Sequence, residues 1–285
     1  MNGVIKYPGS KWRIAKWIIQ RFPKHHSYLE PFFGSGAVFF RKPRSNIETI
    51  NDIDDNVVNL FRCIREDPEK LSRAAYLTPY ARVVYEDACA SEGKDPYQKA
   101  IDFMIRLNSG YGFRTNDQKV GWKEDIQGRE KGYAAIDWGN LPNKIIEAAE
   151  RLKGVQIEHM DAVKLIKKFN SENVLIYCDP PYMLSTRRQK QYAYEMENRD
   201  HEELLEALKA HKGSVILSGY ESDLYREALS NWHTEQVMSR NQAGQEKVET
   251  IWMNFFPERQ MTLQEWQAED RIGNPNTLPT KEKKV

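Results

Sequence analysis

The run Val174–Cys178 constrains the fold of this chain more than any other segment. Its β-branched, aliphatic and aromatic residues favour a short buried strand. Similar runs recur along the chain and are separated by helical segments, which is typical of βαβ units around a parallel sheet. We therefore predict an α/β fold. The pattern predicts strands at residues 28–30, 48–50, 155–157, 174–178 and 214–217, and helices at 10–22, 162–169, 200–210 and 222–229.

The tetrapeptide Asp179-Pro180-Pro181-Tyr182 ends the strand at 174–178. The Asp179 carboxylate and the Pro180 carbonyl can each accept a hydrogen bond from one exocyclic amine, and neither proline has an N–H group that competes. Two acceptors on one amino group draw its lone pair out of conjugation with the ring, so the nitrogen becomes a better nucleophile. Tyr182 offers a ring face for stacking. The alternative is a rigid turn at a strand end, because such a tetrapeptide also occurs by chance.

Gly34 and Gly36 follow the strand predicted at 28–30 and precede an apolar helix start at 37–40. Two glycines allow a tight turn and a close approach of the backbone to a ligand. A nicotinamide site would have a third glycine three residues after the second, and Phe39 stands there instead. The pattern therefore disfavours a dinucleotide oxidoreductase and leaves another cofactor turn or an ordinary strand-to-helix turn.

Asp52 follows the second predicted strand. An acid at this position can accept hydrogen bonds from both hydroxyls of a ribose. Asp54 and Asp55 are more typical of the first turn of the next helix, where the helix dipole favours acids. Together, the glycine turn and Asp52 indicate an adenosine pocket.

Lys11 ends the N-terminal segment Lys6–Lys11, whose Gly-Ser-Lys sequence is similar to part of a phosphate-binding loop. That loop has an earlier glycine and places Ser or Thr after the lysine, whereas Trp12 follows here. Two interpretations remain for Lys11. It binds a carboxylate, such as the methionine end of S-adenosylmethionine, or it is a solvated lysine at a helix start.

Four segments follow one another along the chain: Lys6–Lys11, Glu30–Gly36, Asn51–Asp54 and Asp179–Tyr182. In this order they resemble the Dam-type DNA adenine methyltransferases, over residues 5 to 256. The resemblance implies S-adenosylmethionine as the cofactor and a catalytic site at Asp179, Pro180, Pro181 and Tyr182. Asp161-Ala162 matches the family's contact to the adenine edge of the cofactor. The predicted cofactor-binding residues are Tyr7, Lys11, Glu30, Phe33, Gly34, Ser35, Gly36, Asp52, Asp161, Ala162 and Asp179.

The resemblance implies methyl transfer to the 6-amino group of an adenine flipped out of duplex DNA, with no metal ion. The implied fold is a Rossmann-like S-adenosylmethionine-dependent methyltransferase sheet that ends in a hairpin at 233–238 and 248–256. The gap before residue 155 is too long for one crossover, so a domain is inserted. We predict a catalytic domain at 1–67 and 146–257, a mainly helical target-recognition domain at 68–145 with a hairpin at 111–133, and a polar tail at 258–285.

The net charge of +1 does not by itself indicate a nucleic-acid partner, but the basic residues are unevenly distributed. Several bases lie between Lys6 and Glu30 with no acid among them, and others lie in a loop at 183–197 that we expect to be mobile. These clusters either converge on double-stranded DNA or are solvated helix faces. Arg can read guanine and Asn can read adenine. The candidate DNA contacts are Asn108, Tyr111, Arg114, Asn116, Lys119, Arg187, Arg188 and Lys190.

Composition argues against several classes of protein. No segment has the apolar length of a membrane span, and the N-terminus has no secretory signal. The cysteines, Cys63, Cys89 and Cys178, form no metal-ligand pattern, and their odd number fits a reducing compartment. We expect no metal site, a cytoplasmic location in a bacterial or phage-infected cell, and a monomer or weak dimer.

Other functions remain open from the sequence. The amine could belong to cytosine, to RNA adenine or to a protein glutamine, although glutamine enzymes usually have Asn in place of Asp179. A protein that binds DNA or the cofactor without transfer is another alternative, and the intact tetrapeptide argues against it. The recognised DNA word is open, with GATC suggested by the resemblance, and so is a restriction endonuclease partner.

Overall fold

A computed structural model of the chain describes residues 3–91, 95–116, 118, 120–124, 134–187, 189–240 and 246–257. Within these ranges, seven strands form one sheet in the order β3-β2-β1-β4-β5-β7-β6. β7 is antiparallel to both of its neighbours, and the other pairs are parallel. The strands are Ser27–Glu30 (β1), Ile47–Asn51 (β2), Gln156–Glu158 (β3), Val174–Cys178 (β4), Ser214–Gly219 (β5), His233–Arg240 (β6) and Glu246–Met253 (β7). The predicted α/β sheet and its closing hairpin are confirmed.

Ten helices lie in the described part of the chain, and none of them is long and apolar enough to cross a membrane. Asp54 caps one of them, α2, by accepting a hydrogen bond from the Asn56 N–H group. The helices are Ala15–Ile19 (α1), Asp55–Glu66 (α2), Pro68–Leu77 (α3), Arg82–Ala90 (α4), Pro96–Ser109 (α5), Ala134–Gly139 (α6), Leu141–Arg151 (α7), Ala162–Lys168 (α8), Asn198–Lys209 (α9) and Asp223–Ala228 (α10).

Two predicted helices are shorter than expected. The helix predicted at 10–22 is regular only over α1, because the N–H groups of Ile14, Arg21 and Phe22 on either side of it bond the carbonyl three residues earlier. The helix start predicted at 37–40 is a single turn, closed by the bond from Lys42 N–H to Val38 O. Pro43 follows, and it lacks an N–H group and disfavours a helical residue before it.

Alternate residues of the strands point into two separate hydrophobic cores. Leu175 and Tyr177 of β4 face one core, and Ile176 and Cys178 face the other. Helices α8 and α9 cover the side of Ile176. Helix α2 and the helices between α2 and β3 cover the side of Leu175. Burial of β4 on both faces explains its nearly continuous apolar sequence. Cys178 is fully buried, as expected for a residue that packs in a strand.

The segment between α2 and β3 contains α3 to α7 and shares the core of the sheet. α3 packs against α7, and α5 packs against α2. The predicted boundary at residue 145 falls inside α7. Among the described residues of the hairpin predicted at 111–133, an antiparallel bridge from Gly110 to Trp122 closes a loop, and residues 117, 119 and 125–133 lie outside the described ranges. Gly, Asn and charged residues provide few of the cross-strand contacts that stabilise a longer ribbon.

A buried carboxylate connects the inserted helices to the sheet. Glu48 of β2 is 3% exposed and accepts hydrogen bonds from Lys42 at 2.5 Å and from both terminal nitrogens of Arg151 at 2.5 and 2.7 Å. Burial alone would raise the pKa of Glu48, but the two cations together lower it. Since Arg151 ends α7, this network fixes the last inserted helix against β2.

The Glu48 network leads to a stability prediction. Glu48→Gln keeps the side-chain shape but leaves two largely buried cations without a charge partner, so we expect the free energy of unfolding to fall by about 3–5 kcal/mol. Glu150→Gln is the matched control, because Glu150 pairs with Lys153 at the surface and its side chain is 64% exposed; we expect a change below about 1 kcal/mol. Urea denaturation measures both. Equal losses in the two variants would contradict this role of Glu48.

Candidate active site

A cavity of about 280 Å³ opens where β1, β2 and β4 end. The carboxyl ends of parallel strands lie at one edge of a sheet, which is where α/β folds bind ligands. Asp179 and Gly34, from distant segments of the chain, line the same cavity. Of the predicted cofactor residues, the cavity wall contains Tyr7, Lys11, Glu30, Phe33, Gly34, Ser35, Asp52, Asp161, Ala162 and Asp179.

The glycine turn is held in a conformation that favours glycine. Gly34 has φ +48° and Gly36 has φ +64°, values that other residues rarely adopt. A Cβ atom on Gly34 would lie 2.9 Å from the Tyr7 ring, and one on Gly36 would overlap the Phe33 ring. Gly36 lies behind the cavity wall, so it supports the turn through Phe33.

Asp52 holds the turn from the neighbouring strand. Its carboxylate accepts hydrogen bonds from Gly34 N–H at 2.8 Å and from Asp54 N–H at 3.0 Å. Burial raises the pKa of Asp52 to about 6, against the effect of these backbone donors. Each carboxylate oxygen can accept a further hydrogen bond, so Asp52 can still bind a diol.

Asn51 joins the ends of three strands, a role that sequence analysis missed. Its side-chain NH2 group donates to the carbonyls of Pro31 and Met160, and its oxygen accepts from Met160 N–H. Pro31 follows β1 and Met160 follows β3, so one amide fixes both chain ends beside β2. An Asn at the end of a buried strand is the only local signal of this function.

Lys11 is buried rather than solvated, at 5% exposure. Its Nζ atom lies 2.8 Å from Asp179 Oδ1, 2.6 Å from the Gly9 carbonyl and 3.6 Å from Glu249 Oε1. Burial alone would lower the pKa of Lys11, but Asp179 and Glu249 raise it above its ordinary value. Lys11 therefore stays charged and binds the Asp179 carboxylate in this structure.

Asp179 also accepts a hydrogen bond from Ser218 of β5, at 3.0 Å and on the same Oδ1 atom. The Tyr177 hydroxyl is 3.1 Å from Ser218 Oγ and extends this chain of hydrogen bonds. Burial raises the pKa of Asp179, while Lys11 and Ser218 oppose that rise. Ser218 could not be predicted as a partner of Asp179 from the sequence, because it lies near the end of a different strand and no motif surrounds it.

Tyr182 is fixed at both ends of its ring. Its hydroxyl donates to Glu249, and its ring meets that of Tyr220 edge to face at 4.6 Å between centroids. Lys11 Nζ lies 4.7 Å from the Tyr182 ring centre. Pro181 lines the cavity, whereas Pro180 and Tyr182 do not. Glu249 is 5% exposed on β7, and its only sequence signal is an acid that directly precedes a run of buried residues.

The loop after Tyr182 closes one side of the cavity. The ring of Tyr192 lies 6.1 Å from that of Tyr7. Arg187 donates to the Tyr182 carbonyl at 2.6 Å and forms an ion pair with Glu195. Glu195 also accepts from the Tyr192 N–H group at 3.1 Å. The Arg187 side chain is 9% exposed, so its charge is used inside this loop and not at the surface as the sequence suggested.

The predicted DNA contacts fall into different environments. Asn108 is buried and donates to the Val4 carbonyl at 3.1 Å, so the structure corrects its predicted place on the surface. It lies on the inward face of α5, which the sequence alone did not reveal. Tyr111 and Lys190 are exposed, whereas Arg114 and Asn116 are half-buried. Lys119 and Arg188 lie outside the described residues.

The basic run between Lys6 and Glu30 is likewise divided. Arg21 is 4% exposed, stacks on Trp17 and pairs with Glu235 at 2.7 Å. Arg13, Lys16 and Lys24 are exposed. Only part of the positive charge in this run therefore lies at the protein surface.

Comparison with known proteins identifies the family of this chain. Residues 7–243 match the sequence model of the D12 class N6 adenine-specific DNA methyltransferases. The chain is 24% identical over 273 residues to a DNA adenine methylase of Vibrio cholerae, with 89% of this chain and 95% of that protein covered. It is 23% identical over 272 residues to a DNA adenine methylase of Escherichia coli strain K12, with the same coverage.

A third relative is a type II methyltransferase of Lactococcus lactis subsp. cremoris, 24% identical over 262 residues, with 84% of this chain and 88% of that protein covered. The family match spans far more than half of the sequence and includes the glycine turn, Asp52 and Asp179. The chain therefore belongs to the D12 class of N6 adenine-specific DNA methyltransferases.

Proposed function

We propose that this adenine-specific DNA methyltransferase takes its methyl group from S-adenosylmethionine and transfers it to an adenine turned out of duplex DNA, beside Asp179. The observation that carries the proposal is that Asp179 and the glycine turn line one cavity. A donor on the turn and an amine on Asp179 would then meet without a large movement of the protein. GATC duplexes are the first substrates to test.

The residues of the cavity fit the proposed donor. Gly34 leaves a space that a Cβ atom would fill, so the backbone can approach an adenosine closely. Asp52 lies at the end of β2, where its carboxylate would accept from the ribose hydroxyls. Asp161 and Ala162 begin α8 at the cavity wall, where they would contact the adenine edge of the donor. When bound, the donor supplies an electrophilic methyl group on a sulfonium ion.

Asp179 acts on the amine. As an ionised carboxylate it would accept one N–H bond, which orients the nitrogen lone pair toward the methyl carbon. Its negative charge stabilises the positive charge that develops on the amine as the nitrogen–carbon bond forms and the carbon–sulfur bond breaks. It is also a near base for the proton that the methylated amine then loses. Tyr182, held by Glu249, lies next to this position.

We propose that residues 68–145 form the target-recognition domain. The support is a contact between its loop, residues 111–116, and the loop after the catalytic tetrapeptide. Thr115 N–H donates to Gln191 O at 2.9 Å, and Thr115 Oγ1 accepts from Ala193 N–H at 2.9 Å. Gln191 and Ala193 flank Tyr192, which lines the cavity. A DNA base bound by this loop would therefore lie close to the cavity wall.

Substitution of Asp179 tests the reaction. We expect Asp179→Ala and Asp179→Asn each to reduce kcat by roughly 10²–10³-fold, because both remove the charge that stabilises the transition state. Methyl-labelled donor, duplex DNA and nucleoside analysis by mass spectrometry identify the product. Asp223→Asn is the control, since this acid is 88% exposed and pairs with Arg226. Label in cytosine, in RNA or in protein instead would support the alternative substrates, and full activity of Asp179→Ala would refute the mechanism.

Substitution of Gly34 tests the donor site. We expect Gly34→Ala to weaken binding of S-adenosylmethionine about tenfold, because left-handed backbone costs a non-glycine residue about 1–2 kcal/mol and the added Cβ crowds Tyr7. Isothermal titration calorimetry measures the affinity. Gly139→Ala is the matched control, since a Cβ there meets nothing within 4 Å. If Gly34→Ala binds the donor as tightly as the wild type, the turn does not form the donor site.

Substitution of Thr115 tests the contact between the two loops. Thr115→Val keeps the branched shape but removes the acceptor of Ala193 N–H. We expect amide exchange around Ala193 to be roughly 2- to 10-fold faster, as for the loss of a typical hydrogen bond. Hydrogen exchange followed by mass spectrometry on peptides from residues 189–195 measures this. Thr115→Ser retains the hydroxyl and should exchange like the wild type; equal exchange in all three proteins would argue against the contact.

A further inference from the structure

Lys11 has two carboxylates within reach. Its Nζ atom is 2.8 Å from Asp179 Oδ1 and 3.6 Å from Glu249 Oε1. The side chains of Lys11 and Glu249 are both 6% exposed, and that of Asp179 is 18% exposed. In this structure the ammonium is therefore closer to the carboxylate that lies nearer the cavity.

This arrangement conflicts with the reaction proposed above. Asp179 would have to present its negative charge to the adenine amine, yet an ammonium, that of Lys11, lies 2.8 Å from its Oδ1 atom, which also accepts from Ser218. An ammonium on the same carboxylate also weakens it as an acceptor and neutralises the charge that would stabilise a sulfonium ion and a methylated amine. Asp179 would therefore act with its full charge only if Lys11 moved away from it.

A buried ammonium needs another partner when it moves. Desolvation of an unpaired charge costs several kcal/mol, and Lys11 has little contact with solvent. The nearest acid other than Asp179 is on β7, and its Oε1 atom already accepts the Tyr182 hydroxyl. A small shift of Nζ would place Lys11 on that oxygen without exposing it to the cavity.

We propose that Glu249 is a positioning residue that receives the Lys11 ammonium, so that Asp179 is released to the amine of the target adenine. The proposal rests on the function proposed above. Lys11 and Glu249 then form a neutral pair behind the cavity, and Asp179 presents its full negative charge to the reacting groups. Glu249 also keeps the Tyr182 ring in place through its hydroxyl, because both groups share Oε1.

The exchange requires Glu249 to be ionised. The titratable groups that face it are Lys11, Asp179 at the end of β4 and Tyr182; its partner on β6 is Val237, which does not titrate. Burial raises the pKa of Glu249 to about 7, Lys11 opposes the rise and Asp179 adds to it. A protonated Glu249 cannot balance the ammonium, so Lys11 would remain on Asp179. We therefore expect kcat to fall as the pH decreases through about 7.

Glu249→Gln tests the proposal, because it keeps an acceptor for Tyr182 but removes the charge. At saturating donor and duplex DNA we expect kcat to fall roughly 10- to 100-fold, the scale of a lost charged hydrogen bond, with donor affinity within about twofold of the wild type. We also expect the decrease of kcat through about pH 7 to disappear, so that any acidic limb that remains comes from Asp179 itself. Unchanged kcat, or a decrease through about pH 7 that persists in Glu249→Gln, would overturn the proposal.

Tyr182→Phe separates the two functions of Glu249. It removes the hydroxyl but leaves the charge that receives Lys11, so the acidic limb should remain. If Tyr182→Phe loses the limb as Glu249→Gln does, Glu249 acts only through Tyr182 and the proposal is wrong. If Glu249→Gln does not fold, the wild-type profile decides, and a kcat that is constant between about pH 6 and 8 would overturn it.

The failure of this proposal can be distinguished from that of the proposed function. A wild-type protein that methylates no adenine, or an Asp179→Ala variant that is fully active, contradicts the proposed function. An active wild type whose Asp179 variants are impaired, together with a Glu249→Gln variant of normal kcat and pH profile, contradicts only the role of Glu249.

Discussion

The buried ammonium of Lys11 is the interaction on which the site depends. A charge with so little solvent contact must be paired, and its partners come from the N-terminal segment, from the end of β4 and from β7. Lys11 therefore fixes three distant parts of the chain around one point. The same requirement means that the ammonium would leave Asp179 only for another carboxylate, so burial of Lys11 also governs how much charge Asp179 presents to the cavity.

The sheet fixes the positions of the other residues that form the site. β1, β2 and β4 are parallel and adjacent, so the glycine turn, Asp52 and Asp179 meet at their ends. Asn51 fixes the chain after β1 and after β3. The inserted helices share a core with the sheet and are tied to β2 through Glu48. Their loop at 111–116 therefore has a fixed position relative to the cavity, as recognition of a base next to the reacting adenine would require.

The sequence predicted those features whose signal is local. The strands were recognisable because β4 and its neighbours are short apolar runs, and the motifs were recognisable because they stand at strand ends. Ser218, Glu249 and Thr115 were missed because their partners lie far away in sequence and no spacing marks them. Arg21 and Arg187 were misjudged for the same reason: each pairs with an acid on another segment or later in its loop. Counting charges does not show which of them are neutralised inside the fold.

The acidic residues of the cavity wall also affect how tightly the site would bind a charged donor compared with its neutral product. Burial, opposed by the Tyr28 hydroxyl and aided by Asp179, raises the pKa of Glu30 to about 8, and burial raises that of Asp52 to about 6. These carboxyl groups lie in a cavity wall whose one buried cation, among the described residues, is turned toward Asp179 and Glu249. A sulfonium donor would favour the ionised forms of these acids, whereas the neutral thioether left after transfer would not. The wall that attracts the proposed donor would therefore hold its product less tightly, and a Lys11 pointing into the cavity would cancel that difference.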